Sequence, residues 1–509
     1  MIESTDAGLV IFLPQGMGAS GVSTWAVRLA EGLVRRGRRA AIIAHREPPE
    51  HARVLEPDPR VRVIDASALP DLERADGNLS GFVAFYRNAL NRLHEEWGGP
   101  LVLSPNLLGD SYGIAAALVR EAPERFRVVG WHHSDIAYND LVLGRYAPIL
   151  SRAVGVSQTI TRRLERLVGS ERAVCVPYGV EAAEFVERDS LEGRPLRVAY
   201  AGRMDHEQKR VLALASCAEF LRDHDVQSLL IALGDGPAAG EIDARFAALE
   251  HASRDAAGGP DEVARLFAWA DIFVLPSRYE GLCVSMLEAM ACGCVPVVAD
   301  VASGARDAIE TGENGLIVPV GMDEDEQVVG VRLGEAVGGL DGAALRRMSL
   351  RSYDTVRERF GIESHLDRAI NVIDEAARAP ALHWPNGLDP SFSTPGAGST
   401  PADAVARLEK LLGDLGDRPI VVHGTGRHTL ELADVLGSAR VVAFTDDDRA
   451  SWGGRLIGVD ILPPSEAGLC GATDVVISSW LHERAIWDRR TVYESQGLRV
   501  HRLYGSDAA

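Results

Sequence analysis

The chain has 509 residues, 46% hydrophobic and 25% charged, with a formal net charge of −20. This is an ordinary globular composition, long enough for two or three domains; the acidic excess argues against general nucleic-acid binding, which needs a basic face to displace counterions from phosphates. The first residues lack a basic segment followed by an apolar core, and no apolar run reaches bilayer length, so a cytoplasmic protein with at most peripheral membrane contact is expected.

Six cysteines are scattered without paired spacing, and Cys292-Gly293-Cys294 is too tight for a zinc clamp, so neither a disulfide framework nor a metal site is expected. Lysine occurs only at 209 and 410. Almost every cation is therefore arginine, and a retained ammonium at 209 suggests a compact charge for phosphate oxygens.

In chain order, the apolar runs at 9–12, 40–44, 61–64, 101–103, 128–131, 154–156 and 174–176 read as strands separated by helical periodicity. That rhythm predicts a parallel sheet wrapped by helices. The turn Gln15-Gly16-Met17-Gly18-Ala19-Ser20-Gly21 leads from the first strand into a helix, and its glycines let backbone N–H groups approach a ligand closely. The basic run Arg35-Arg36-Gly37-Arg38-Arg39 reads as a solvated helix end, with contact to anionic lipid as the rival. Strand 128–131 ends in His132-His133-Ser134-Asp135, at the sheet end where α/β sites collect. These side chains suit hydrogen bonding to a substrate hydroxyl, or a structural histidine pair; no nucleophile-elbow motif accompanies them.

A second such unit opens at Arg197-Val198-Ala199-Tyr200 and continues through 229–233, 272–275, 295–298 and 316–318. After its first strand come Gly202, Arg203 and Lys209, suited to a sharp turn and to phosphate oxygens. Gly234-Asp235-Gly236-Pro237 ends the next strand and can lie flat against a base or phosphate. The run Ser277 to Gly293 places Glu280 in a turn after an apolar strand and Glu288 inside a helix expected to start near Gly281 and Leu282. Eight helical residues span roughly 12 Å, the scale of a sugar nucleotide. Residues 326–379 are helical in pattern, 381–401 read as a Pro/Gly/Ser linker, and 402–509 as a small third α/β unit. There Gly424-Thr425-Gly426-Arg427-His428-Thr429 follows a strand, and Asp446 stands about 22 residues on, near the spacing of a ribose-binding acid.

Taken together, Gly202-Arg203…Lys209, Gly234-Asp235-Gly236-Pro237, Pro276 to Gly281 and the Glu280…Glu288 spacing resemble the retaining family 4 glycosyltransferases of GT-B fold. Val156-Ser157, Val176 to Glu181, Ser303-Gly304 and Asn314-Gly315-Leu316 extend the resemblance over about residues 8–380. It implies two facing Rossmann-like domains: 1–180, receiving a helix back from about 361–380, and 181–380, which binds the donor. The implied activity is transfer of a glycosyl unit from a nucleoside-diphosphate sugar to a hydroxyl acceptor, with configuration kept and no obligatory metal or cofactor. On that pattern Arg203 and Lys209 hold the diphosphate, Glu280 the donor-sugar hydroxyls and Glu288 the ribose. The N–H groups of Leu282, Cys283 and Val284 would add support, and the loop carrying Gly16, Gly18 and Gly21 would cover the donor. The family's first-domain histidine maps to His133 or His132, with His132 and Asp135 on the acceptor side. The segment 250–259 departs from the family's apolar strand plus Gly.

The donor reads as a UDP-sugar, with GDP-mannose as the rival. The third unit resembles small Rossmann-like modules on other carbohydrate enzymes and is expected to serve dimerisation or partner docking. Two other readings are a non-catalytic sugar-nucleotide-binding partner, and a bifunctional enzyme binding a nicotinamide cofactor at Gly424, Gly426 and Asp446.

Overall fold

A computed structural model describes residues 7–18, 20–45, 54–72, 75, 78–181, 183–188, 191–256, 259–301, 304–321, 324–392, 404–425, 428–429, 432–447, 451–479 and 483–504. The chain divides into one unit of Met1–Leu69 with Ser80–Pro390 and another of Pro70–Leu79 with Ser391–Ala509.

The first unit holds two parallel sheets. Strands β1 (Leu9–Leu13), β2 (Ala40–Ala44), β3 (Arg62–Asp65), β4 (Leu101–Ser104), β5 (Phe126–His132), β6 (Leu150–Gly155) and β7 (Ala173–Cys175) run in the order β3-β2-β1-β4-β5-β6-β7. Helices α1 (Gly21–Arg35), α2 (Ser80–Trp97), α3 (Gly109–Glu121), α4 (Ala137–Tyr146) and α5 (Gln158–Val168) alternate with them. Every residue of β1, β2, β4 and β5 is buried. Such runs are continuously apolar because helices cover both faces of a parallel sheet. The strand order reverses between β1 and β4, the kind of position at whose strand carboxyl ends open α/β sheets bind ligands.

The second sheet repeats the plan. Strands β8 (Leu196–Ala201), β9 (Ser228–Leu233), β10 (Ala252–Asp255), β11 (Ile272–Leu275), β12 (Val295–Ala299) and β13 (Leu316–Val318) are ordered β10-β9-β8-β11-β12-β13. They are interleaved with α6 (Leu212–Asp223), α7 (Ala239–Phe246), α8 (Pro260–Trp269), α9 (Val284–Ala291) and α10 (Ala305–Ala308). Strand β10 forms where the sequence departs from an apolar pattern. It lies at the sheet edge, pairs with β9 alone among the described strands, and stays polar, with Arg254 paired to Asp243 at 2.6 Å.

Helices α11 (Glu326–Gly338), α12 (Gly342–Arg359) and α13 (Ile362–Arg378) follow. The chain crosses between the sheets twice, and the crossings pair: Val180 donates to the Phe360 carbonyl and accepts from Ile362 N–H, both at 2.9 Å. Beyond this hinge α13 packs on β4, β5, β6 and α1. Its acidic residues take up the basic run after α1: Arg36 pairs with Glu363 and Asp367, and Arg38 with Asp374. That pairing, rather than a solvated end or a lipid contact, accounts for these two arginines. The expected linker is also shorter than its composition suggests. Trp384 is buried near Tyr146, whose hydroxyl donates to the Pro390 carbonyl at 2.8 Å, so 381–390 is docked on α4.

The second unit holds a third sheet of β14 (Ile420–His423), β15 (Val441–Thr445), β16 (Arg455–Leu456), β17 (Val459–Leu462), β18 (Asp474–Ile477) and β19 (Arg499–Arg502), ordered β16-β17-β15-β14-β18-β19. All its pairings are parallel except β16 with β17. Helix α14 (Ala404–Leu415) buries Ala404, Leu408 and Leu415 against Ile420, Val422 and Phe444. Among the described residues no helix is long and apolar enough to cross a membrane.

Candidate active site

The loop after β8 is built around Asp205. Its Oδ1 accepts the N–H groups of Gln208 (2.8 Å) and Lys209 (3.1 Å), and its Oδ2 pairs with Arg203 Nε at 2.7 Å. Lys209 thus lies in a turn ahead of α6, and its Nζ meets Glu280 Oε1 at 2.5 Å. The same Glu280 oxygen accepts the Ser277 hydroxyl at 2.7 Å. Both members of the ion pair are nearly enclosed, with side chains 14% and 9% exposed. Burial alone would lower the Lys209 pKa, but the carboxylate of Glu280, helped by Cys283 and Tyr200, outweighs it and the net shift is upward. Arg203, by contrast, is 61% exposed, with its guanidinium held by Asp205 and by Gln208 Oε1 at 3.0 Å.

The glycines after β9 serve this loop. A Cβ on Gly234 would lie 1.9 Å from the Gly202 carbonyl oxygen, and one on Gly236 2.4 Å from that of Met204. Their missing side chains let the 202–204 backbone press against them, a supporting role not read from the sequence. Pro237 beside them is exposed.

Helix α9 begins at Val284, with Cys283 as N-cap, two to three residues later than expected. Leu282 and Cys283 therefore precede it, and its unpaired N–H groups start at Val284. Glu280 lies outside the helix, so the 12 Å estimate does not apply. Along α9 only Val284, Ser285 and Glu288 are less than fully buried. They share one face, with Glu288 a single turn, about 6 Å, beyond the helix start. An anion at the N-terminus and a hydroxyl pair at Glu288 would thus be neighbours. Glu288 Oε1 meets Arg28 Nη2 of α1 at 3.2 Å. Burial pushes the Glu288 carboxyl pKa up, with Arg28 opposing the shift.

The first domain faces this loop closely. A Cβ on Gly281 would stand 2.0 Å from the His133 carbonyl oxygen and 3.0 Å from Val156 Cγ2. The His133 ring is engaged by protein on both nitrogens: Nε2 lies 2.8 Å from Asn106 Oδ1, and Nδ1 2.7 Å from the Tyr178 hydroxyl. Asn106 Nδ2 donates to the Ser104 carbonyl at 2.8 Å, which turns its oxygen toward His133 and places the imidazole proton on Nε2. Burial, with His132 adjacent, lowers the His133 pKa to about 3, so the ring is neutral. What His133 presents to Gly281 is its backbone carbonyl. His132 turns elsewhere, its Nε2 at 2.8 Å from Asp140, while Asp135 pairs with Arg163 at 2.5 Å. In the β1–α1 loop, Gly16 has φ +77°, Gly18 bridges to Val54, and Gly21 opens α1 with nothing within 4 Å of a Cβ.

Comparison with known proteins fits this geometry. Residues 195–329 match the family model described as Glycosyl transferases group 1. Over 72% of its length the chain superposes on 98% of a sucrose-phosphate synthase from Thermosynechococcus elongatus, with TM-score 0.57 at 19% identity. It superposes on 99% of Anabaena HepE in complex with UDP, with TM-score 0.55 at 15% identity. The fold is GT-B. Among curated sequences, the D-inositol 3-phosphate glycosyltransferase of Actinosynnema mirum is 27% identical over 348 residues, 59% of this chain and 80% of the relative. The putative colanic acid biosynthesis glycosyltransferase WcaL of Salmonella typhimurium is 27% identical over 270 residues, 49% of this chain and 64% of the relative.

Three residues of the GT-B cleft carried no sequence signal for their roles. Arg210 is fully buried with φ +46°, and its guanidinium donates to the carbonyls of Pro276 and Ser277 at 2.8 Å, riveting the Lys209 turn to the Glu280 turn. Asn106 fixes the His133 tautomer, and Arg28 reaches Glu288 from the facing domain; each is far in sequence from its partner. In the third sheet, Asp446 Oδ2 accepts both the N–H and the hydroxyl of Thr425 at 2.7 Å. A Cβ on Gly424 would lie 2.6 Å from the Ser478 carbonyl oxygen, so close packing demands this glycine. Gly426 lies outside the described residues.

Proposed function

We propose that the chain is a glycosyltransferase that moves a glycosyl unit from a nucleoside-diphosphate sugar to a hydroxyl acceptor, retaining the anomeric configuration. The observation that carries this reading is the Lys209–Glu280 pair, held at 2.5 Å beside the open face of α9. A donor diphosphate would compete for Lys209 Nζ and for the N–H groups of Val284 and Ser285. Glu280, freed in part from the lysine, would then accept hydroxyls of the donor sugar. Glu288, one turn along, would take the ribose.

The chemistry is electrostatic. Negative charge builds on the departing diphosphate and is met by Lys209, by Arg203 swinging in, and by the α9 terminus. These groups take the charge without requiring a metal. No side-chain nucleophile is assigned; the departing phosphate oxygen takes the acceptor proton. UDP-sugars are favoured as donors, since the fold is shared with HepE in complex with UDP-glucose, and GDP-mannose is the rival. The nicotinamide alternative draws no support from Asp446, one oxygen of which is committed to Thr425.

Release of nucleoside diphosphate from a panel of UDP- and GDP-sugars tests the reading, with Lys209→Met as control. Wild-type release above that of the variant is expected, and no release from any donor would end it.

A further inference from the structure

Arg28 lies midway along α1 in the first domain, outside every motif that marks the donor site. Its anchorage is rigid. Ser20 and Ser23 form a capping box at the start of α1, Trp25, Ala26, Val27, Leu29 and Ala30 are buried, and Trp25 Nε1 donates to His365 Nε2 at 3.2 Å. From this base the guanidinium crosses the cleft to Glu288 Oε1 at 3.2 Å, each side chain 28% exposed. Glu288 is equally constrained, between buried Leu287 and Ala289 on α9.

A carboxylate that recognises two vicinal hydroxyls must present its oxygens in a fixed plane. A guanidinium bonded to one of them restricts the turning of that carboxylate and leaves the other oxygen for a ligand hydroxyl. We infer that Arg28 is a positioning residue for the nucleotide ribose: it orients Glu288 from the opposite domain, so that ribose recognition is completed only when the two domains meet. This rests on the reading of Glu288 as the ribose ligand. A pair that merely latched the domains would alter stability or closure without altering discrimination at the ribose.

The test is equilibrium binding of UDP, 2′-deoxy-UDP and 3′-deoxy-UDP, with the guanosine series in parallel, to wild type, Arg28→Ala and Arg28→Lys. Wild type is expected to prefer the ribonucleotide at least tenfold. Arg28→Ala should weaken ribonucleotide binding about tenfold and bring the ribo-to-deoxy ratio to within about threefold of unity, while Arg28→Lys keeps an intermediate ratio. A wild-type preference preserved in Arg28→Ala overturns the inference alone. Wild type that binds neither nucleoside diphosphate overturns the functional reading and this inference with it.

Discussion

The Gly281→Ala substitution probes a close approach of the two domains. The added methyl would lie 2.0 Å from the His133 carbonyl oxygen and 2.8 Å from its carbon, whereas real Cβ atoms essentially never come within 3.0 Å of another heavy atom. Relief therefore requires a separation of about 1 Å. His133 cannot yield, because it follows the last residue of β5 and its ring is held by Asn106 and Tyr178. Gly281 is held in turn by its own carbonyl, which accepts the Gly304 N–H at 2.8 Å. The displacement falls on the cleft. A misplacement of about 1 Å costs on the order of 100-fold in rate, or ~2.7 kcal/mol of transition-state stabilisation. Donor turnover and thermal unfolding, measured on the same preparation, are the assays. The expected result is a fall in kcat/KM of about 100-fold with a loss of ~1–3 kcal/mol in stability, too small to unfold the chain. Wild-type turnover in Gly281→Ala would refute the argument that catalysis needs this approach.

Lys209→Ala leaves Glu280 buried with only Ser277 and Gln208 as partners, so denaturant unfolding should show a loss of roughly 3 kcal/mol, reduced when Glu280→Gln is added; equal stability of wild type and Lys209→Ala would contradict the pairing. Glu288→Gln keeps the shape and loses the charge, and is expected to weaken nucleotide binding about tenfold, or ~1.4 kcal/mol, by calorimetry. Gly234→Ala places a methyl 1.9 Å from the Gly202 carbonyl oxygen and should displace the Arg203 turn at a cost of ~1–3 kcal/mol, seen as lower stability together with weaker nucleotide binding. Burial holds His45, His133 and His365 neutral, with pKa values lowered to about 4, 3 and 4. Because the unfolded chain protonates them first, near pH 6.5, their contribution to stability is full above that pH and is lost as pH falls toward 4. Together they approach ~4 kcal/mol per pH unit near pH 5, and His365→Gln should flatten the measured slope by about a third.

The alternation of apolar runs and amphipathic helices made the two parallel sheets legible, because a strand covered on both faces must be apolar throughout. The exception marks the limit of that signal: β10 is an edge strand, and its Ala-Ser-Arg-Asp sequence carries no apolar face. The residues Arg203, Lys209, Glu280 and Glu288 could be singled out from spacing and residue type, but their pairing could not. Lys209 with Glu280 and Arg28 with Glu288 bring together residues 71 and 260 positions apart, and no local pattern encodes such contacts. The start of α9 was misplaced because Gly281 reads as a helix boundary, whereas the extended Cys283 is the cap. Gly234 and Gly236 read in the sequence as places where a base or phosphate can lie flat; the structure adds that they admit the 202–204 backbone of the protein itself.

The central claim is that the face of α9 between Lys209 and Glu288 binds a nucleoside diphosphate. Titration calorimetry of UDP and GDP against wild type and a Lys209→Met, Glu288→Gln double variant tests it most directly. One site per chain is expected in wild type for at least one of the two, with a loss of about 100-fold or more in affinity in the variant. Equal affinity in both proteins, or no binding to wild type, would contradict it.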